Sequence, residues 1–256
     1  MNKDTLRQTA NILSVLLALI VNGLANGLPL NGQNTGEISD RFQVYFVPAG
    51  YVFAIWGVIY LGWIAFAIYQ ALPAQAGNAR LQRLGYWFTL SGLLNAAWLF
   101  CWHYNLFGLS VLVMLALLGT LIVSYLRLEI GLFKPSKVER WAVDVPFGIY
   151  VGWISVATVA NITDWLDWIR WGAFGVAPQV WAAVMLVVAG LVGLGMVLTR
   201  REVAFPLVLA WSFAGIALKQ AGAPLVANTA WIGVAFALIL AAFSLVRPRE
   251  VPPHDV

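Results

Sequence analysis

Charged side chains are scarce in this chain of 256 residues: Asp, Glu, Lys and Arg make up 10% of it, and 61% is hydrophobic. A soluble domain has about 25% charged and about 45–50% apolar residues, so the composition excludes an ordinary soluble fold. The net charge of +4 does not indicate nucleic-acid binding, because the basic residues lie between apolar blocks and form no single patch. We expect membrane lipids as partners and no nucleic acid.

Cysteine and histidine are also nearly absent. Cys101 is the only cysteine, which excludes an intrachain disulfide and a cysteine-rich metal site. His103 and His254 are the two histidines, and His254 lies in the polar C-terminal tail. We therefore predict no metal site and no resident cofactor.

Long apolar runs dominate the rest of the chain. A helix needs about 20 mostly apolar residues to cross a bilayer, and these continuous runs are about twice the length of a barrel strand. The first run follows Lys3 and Arg7 but lacks a cleavage site, so we interpret it as a retained helix and not a signal peptide. We predict an all-α polytopic membrane protein with about eight spans, at residues 9–28, 50–72, 84–102, 107–126, 142–162, 179–198, 203–218 and 225–246.

Basic residues alternate between the connectors of these spans. If the N-terminus is cytoplasmic, twelve of the fifteen Lys and Arg residues lie on the cytoplasmic side, and the outer connectors hold only Arg41, Arg170 and Lys219. Cytoplasmic loops favour Lys and Arg. The pattern predicts a multi-pass protein of the cell (inner) membrane with both termini in the cytoplasm.

Titratable groups are nearly absent within the predicted spans. Asp144 lies in the first turn of the fifth span, and Lys219 lies at the end of the seventh. At these positions each side chain reaches the membrane–water interface. A proton-coupled transporter or an ion pump needs titratable side chains near the middle of the membrane, and many ion channels need rings of charged side chains around the pore. The sequence supports none of these functions.

Tryptophan, tyrosine and asparagine occur instead, at helical spacing. Residues three, four or seven apart share one helix face, and such stripes occur in the first, second, third and fifth spans. Large rings with a polar group suit a pocket for a flat, mostly apolar ligand. Inward asparagines serve equally as hydrogen-bonded links between helices, and both interpretations stay open. The stripes are Asn11, Asn22 and Asn26; Trp56 and Tyr60; Asn95, Trp98 and Trp102; and Tyr150, Trp153, Ala157 and Asn161.

Two glycine pairs have the small-xxx-small spacing that permits close helix approach. They are Gly23 with Gly27 and Gly148 with Gly152. The second pair lies on a different face of its helix from Trp153. We therefore expect Gly148 and Gly152 to pack against a neighbouring helix while Trp153 faces a cavity.

Three of these motifs resemble those of a known family. Pro48 with Trp56-Gly-Val-Ile-Tyr60, then Leu94-Asn95-Ala-Ala-Trp98, then Tyr150-x-x-Trp153-x-x-x-Ala157-Thr158-x-x-Asn161 are similar to the signatures of the second, third and fifth helices of the TspO/MBR family. Its members are tryptophan-rich sensory proteins and translocator proteins (peripheral-type benzodiazepine receptors). The resemblance covers residues 9–162. We predict a TspO-like five-helix bundle over residues 1–163 and an additional three-helix region over residues 164–256.

The resemblance implies a pocket in the bundle, capped by the loop after the first helix, that binds porphyrins such as protoporphyrin IX or other flat apolar ligands. It implies a sensor or receptor that acts as a regulator, and a homodimer as the assembly. The implied ligand-binding residues are Trp56, Tyr60, Asn95, Trp98, Trp102, Tyr150, Trp153, Ala157 and Asn161. Two alternatives stay open: a transporter of a tetrapyrrole or another apolar metabolite, and a light-dependent porphyrin-degrading enzyme in which Trp56 and Trp153 are catalytic.

Overall fold

Eight long helices make up most of the computed structural model, which describes residues 3–246. No strand occurs in that range. His254 and the polar tail lie outside the described residues. The prediction of an all-α polytopic membrane protein is confirmed. The helices are α1 (Lys3–Gly27), α2 (Ile55–Ala71), α3 (Trp87–His103), α4 (Phe107–Arg127), α5 (Val145–Trp168), α6 (Pro178–Arg200), α7 (Ala204–Lys219) and α8 (Pro224–Val246).

The eight helices lie at the predicted positions, but they differ in length. Six helical stretches are long and apolar enough to cross a membrane, and two of them, Gly50–Ala71 and Lys137–Trp168, include irregular first turns that lead into α2 and α5. Helices α3 and α7 are shorter, with 17 and 16 residues. At 1.5 Å per residue α7 is about 24 Å long, less than the roughly 30 Å hydrocarbon layer. The seventh span was predicted at residues 203–218, and α7 has the same length of 16 residues.

Helices α1 to α5 form a closed ring. Around this ring α1 packs on α2 and α3, α3 packs on α4, α4 packs on α5, and α5 packs on α2. Helix α7 joins the ring from outside, along α5, while α6 and α8 pack on α7 and on each other. The ring arrangement places the interior faces of α2, α3 and α5 opposite one another.

A charged cluster anchors the start of α5. Arg80 forms ion pairs with Glu139 (3.0 Å) and Asp144 (2.5 Å), and its Nε donates to the carbonyl of Leu128. The backbone makes a π turn over Arg140–Asp144. This wider turn brings two carboxylates five residues apart to the same guanidinium. Asp144, which the sequence placed at the interface, is thus a buried ion-pair partner.

The contact between α5 and α7 depends on two glycines. A Cβ atom added to Gly148 would lie 2.6 Å from Oε1 of Glu202, and one added to Gly152 would lie 3.2 Å from Cβ of Val208. The prediction that this pair packs against a neighbouring helix is confirmed. Gly23 and Gly27 have no such neighbour within 4 Å, so the first glycine pair makes no close helix contact within the chain.

Glu202 begins α7 from the turn that follows α6. Its two carboxylate oxygens accept hydrogen bonds from the backbone N–H groups of Ala204 (2.7 Å) and Phe205 (2.6 Å). The residue is only 6% exposed. Burial raises the pKa of the Glu202 carboxyl to about 7, and this effect outweighs the opposing effect of the backbone hydrogen bonds. The folded protein therefore holds this proton more tightly than the unfolded chain does.

Because the pKa of Glu202 is higher in the folded state, its contribution to stability is lost as pH rises from about 4.5 to about 7. We expect the Tm of the purified protein in detergent to fall from pH 5 to pH 8, and to fall less in Glu202→Gln. Glu37→Gln is the matched control, because Glu37 also caps a helix but is exposed. An equal fall in wild type and Glu202→Gln would contradict the assignment.

Candidate ligand site in the five-helix ring

An aromatic cluster fills the centre of the ring, and Trp56 of α2 is its central member. The Trp56 ring lies nearly parallel to the rings of Trp98 (24°) and Tyr60 (26°) and edge-on to the others. The predicted stripes of the second, third and fifth spans thus meet at one residue. Five ring centroids lie within 6.5 Å of that of Trp56: Tyr60 (5.8 Å), Trp63 (6.4 Å), Trp98 (6.5 Å), Tyr150 (6.4 Å) and Trp153 (6.3 Å).

A cavity of about 30 Å³ lies beside the Trp56 ring. This volume is far below the roughly 300–1,000 Å³ of small-molecule pockets, so little free space lies beside the ring. Six of the nine predicted ligand residues line the cavity, whereas Tyr60, Asn95 and Tyr150 do not. The lining residues from that set are Trp56, Trp98, Trp102, Trp153, Ala157 and Asn161.

Asn22 and Asn95 link the helices around the part of the cluster that does not face the cavity. Asn22 Nδ2 donates to Oδ1 of Asn95 (2.8 Å), and the hydroxyl of Tyr60 donates to Oδ1 of Asn22 (2.7 Å). These bonds join α1, α2 and α3. Asn26, one turn further along α1, is exposed and donates to the backbone carbonyl of Asn22 (3.0 Å).

Asn161 makes the corresponding link on the cavity side. Its Oδ1 accepts from the indole N–H of Trp98 (3.1 Å), and its Nδ2 donates to the hydroxyl of Ser110 (2.9 Å). These bonds join α3, α4 and α5. The interpretation of inward asparagines as links between helices is therefore confirmed for Asn95 and Asn161.

The segment 28–54, here called the lid, closes the cavity between α1 and α2. It contributes Thr35, Ser39, Pro48 and Phe53 to the cavity wall. A short helix, Thr35–Ser39, lies at its centre and begins with Asn34 and Glu37 in a reciprocal capping box. The capping box fixes this helix locally, and the remaining contacts of the lid attach it to the long helices.

His103, at the end of α3, attaches the first half of the lid. Its Nδ1 lies 2.9 Å from the carbonyl of Leu30 and its Nε2 lies 3.1 Å from the hydroxyl of Thr35. The indole N–H of Trp102 donates to the carbonyl of Thr35 (3.2 Å). The histidine is fully buried, so its role in the fold is to hold the lid against α3.

Helix α7 attaches the second half of the lid. The indole N–H of Trp211 donates to the carbonyl of Val52 (3.0 Å), and Lys219 pairs with Asp40 (3.0 Å). The backbone N–H of Ala49 donates to the carbonyl of Gly215 (3.2 Å). No residue of α6, α7 or α8 lines the cavity. Helix α7 therefore contacts the site from outside, through the lid and through α5, an arrangement that the sequence did not suggest.

A comparison with known protein families finds a match over nearly the whole chain. The model of a family described as TSPO-like protein matches residues 8–243. The chain belongs to the TSPO-like protein family. The match extends through α6, α7 and nearly all of α8, so these helices belong to the family model together with the five-helix ring. No curated protein and no solved structure matches the chain.

Asp164 is a member of this TSPO-like site that the sequence analysis missed. The predicted fifth span ended at residue 162, but α5 continues to Trp168 and brings Asp164 into the cavity wall. The side chain is 2% exposed and lies in the last turns of α5, so the site has a buried titratable group just beyond the predicted span. Helical spacing could have identified Asp164, because it lies seven residues after Ala157 and three after Asn161, on the same helix face.

Besides the indole nitrogen of Trp63, three other polar atoms of the TSPO-like cluster are buried without a hydrogen bond of normal geometry: Nδ2 of Asn95 and the hydroxyl of Tyr150, which lie close to each other, and the indole nitrogen of Trp153. Buried polar groups in proteins are nearly always paired. All three atoms are donors, and the rings of Tyr150 and Trp153 both contact Trp56. The cluster therefore combines apolar ring faces with donors that are free to bind an acceptor.

Proposed function

We propose that this TSPO-like protein is a membrane sensor that binds a flat, mostly apolar ligand at the cluster around Trp56 and acts as a regulator. The observation that carries the proposal is the convergence of five aromatic rings on Trp56, two of which, Trp63 and Trp153, have buried and unpaired indole N–H groups. Ring faces stack on a flat ligand, and a few donors orient it. Porphyrins such as protoporphyrin IX are the ligand class that the family resemblance implies.

A ligand of this kind requires the site to open. Pockets for small molecules have volumes of about 300–1,000 Å³, whereas the cavity measures about 30 Å³. Trp98 and Trp102 are fixed by hydrogen bonds from their indole nitrogens. The lid borders a groove of about 290 Å³ on the side of α6, so it has space to move. We infer that ligand entry displaces the lid together with the Trp56 ring.

The membrane orientation is part of this proposal. We propose that the protein lies in the cell (inner) membrane with both termini in the cytoplasm, because twelve of the fifteen basic residues then lie in cytoplasmic segments. The lid then faces the outer side. A ligand arriving from that side meets the lid first, which suits a sensor of external or membrane-dissolved molecules.

Replacing the central tryptophans tests the site. We expect Trp56→Phe and Trp153→Phe to weaken protoporphyrin IX binding about fivefold each, because the lost ring area is worth about 1 kcal/mol. The measurement is tryptophan quenching and porphyrin absorption in nanodiscs. Trp231→Phe is the control, since Trp231 is 47% exposed on α8, whereas Trp211 bonds to the lid and is unsuitable. If all three variants bind alike, the site assignment is wrong.

Cysteine labelling in intact cells tests the orientation. In a Cys101→Ala background, we expect Gln43→Cys in the lid to react with a membrane-impermeant maleimide, and Ala74→Cys, between α2 and α3, to react only after the cells are opened. Gln43 and Ala74 are both exposed, so accessibility within the protein does not decide the result. Labelling of Ala74→Cys alone in intact cells would reverse the proposed topology.

A further inference from the structure

Asp164 is the acidic group of the cavity wall, and like the indole nitrogen of Trp153 its Oδ1 has no hydrogen-bond partner within the fold. Its side chain is 98% buried, it lines the cavity, and its Oδ1 makes no hydrogen bond. Burying an unpaired carboxyl costs free energy, whereas replacing it by an apolar residue of similar size would remove that cost. An unpaired acid that forms part of a cavity wall is therefore available to a ligand.

The neighbouring polar groups are already engaged. Lys219, the nearest basic residue on α7, pairs with Asp40 of the lid. The Thr35 hydroxyl bonds to His103, and Asn161 bonds to Trp98 and Ser110. Among the described residues, no side chain donates a hydrogen bond to the Asp164 carboxyl. The carboxyl is therefore free to accept a hydrogen bond from a bound molecule.

The rest of the cavity wall favours a positively charged group. The rings of Trp56, Trp98, Trp102 and Trp153 line the cavity together with Phe53. The negative faces of aromatic rings attract cations, and tryptophan does so best. A carboxylate combined with several indoles is the arrangement that recognises an ammonium group. The cavity of about 30 Å³ is also close to the size of one small polar group.

We propose that the ligand of this site carries a protonated amine, which Asp164 binds as counter-ion while the indoles surround it. This inference rests on the proposed function, because it assigns the ligand chemistry of one part of the same site. The flat body of the ligand then occupies the space that the Trp56 ring vacates. Protoporphyrin IX carries two carboxylates and no amine that is protonated at neutral pH, so it serves as a probe of the ring cluster alone, and its propionates must point away from Asp164.

The test compares two anthracene probes of the same shape. The first, 9-(dimethylaminomethyl)anthracene, carries a protonated amine at neutral pH, and the second, 9-isobutylanthracene, has a carbon in place of that nitrogen. Both are titrated into the full chain in phosphatidylcholine nanodiscs, with energy transfer from tryptophan to anthracene as the signal. Asp164→Asn keeps the shape of the side chain and removes its charge. Asp167→Asn is the matched control, because Asp167 is exposed on the same helix end outside the cavity.

We expect wild type to bind the amine at least tenfold more tightly than the isobutyl probe, because a charge-assisted hydrogen bond is stronger than an apolar contact. Asp164→Asn should abolish this preference and keep isobutyl binding, which also shows that the variant is folded. Asp167→Asn should keep the preference. If wild type binds both probes equally, or if Asp167→Asn loses the preference as Asp164→Asn does, the inference is wrong. If neither probe binds wild type, the proposed function fails as well.

Discussion

Amide side chains inside the ring of helices must find hydrogen-bond partners there, because lipid offers none. Asn22 bonds to Asn95, and Asn161 bonds to Trp98 and Ser110. Each such bond is worth about 0.6–2 kcal/mol, which is modest, but each also fixes how two helices are rotated about their axes. The rotation set by these bonds turns the aromatic faces of α2, α3 and α5 inward, and the cluster around Trp56 follows from it.

The two ends of the ring are held by different means. At one end, Arg80 binds Glu139 and Asp144 and fixes the start of α5. At the other end, the lid is attached to α3 by His103 and to α7 by Trp211. The first end is a closed network of charges, whereas the second consists of separate hydrogen bonds that can break one at a time. Opening of the site is therefore expected at the lid and not at the Arg80 cluster.

Helical periodicity predicted much of this site, because it depends on local geometry. Trp56, Trp98 and Trp153 were identified from spacing, and the resemblance placed them in the right helices. Asp164 was missed because the end of a helix is poorly determined by hydrophobicity where tryptophans and aspartates alternate. The bond from Trp211 to Val52 could not be predicted, since it joins residues far apart in the chain and depends on how α7 packs against α5. The contacts of His103 with Leu30 and Thr35 could not be predicted either, because these residues are also far from His103 in the chain.

The central claim is that the lid, held by α7, controls access to the cluster around Trp56. A Cβ atom added to Gly215 would lie 3.4 Å from Cβ of Val52, close to the separation found in disulfides. The decisive measurement is the association rate of protoporphyrin IX with Val52→Cys/Gly215→Cys in a Cys101→Ala background, oxidised and then reduced. The account predicts association at least tenfold slower when the disulfide is formed, with full recovery on reduction. Equal rates in the two states would contradict it.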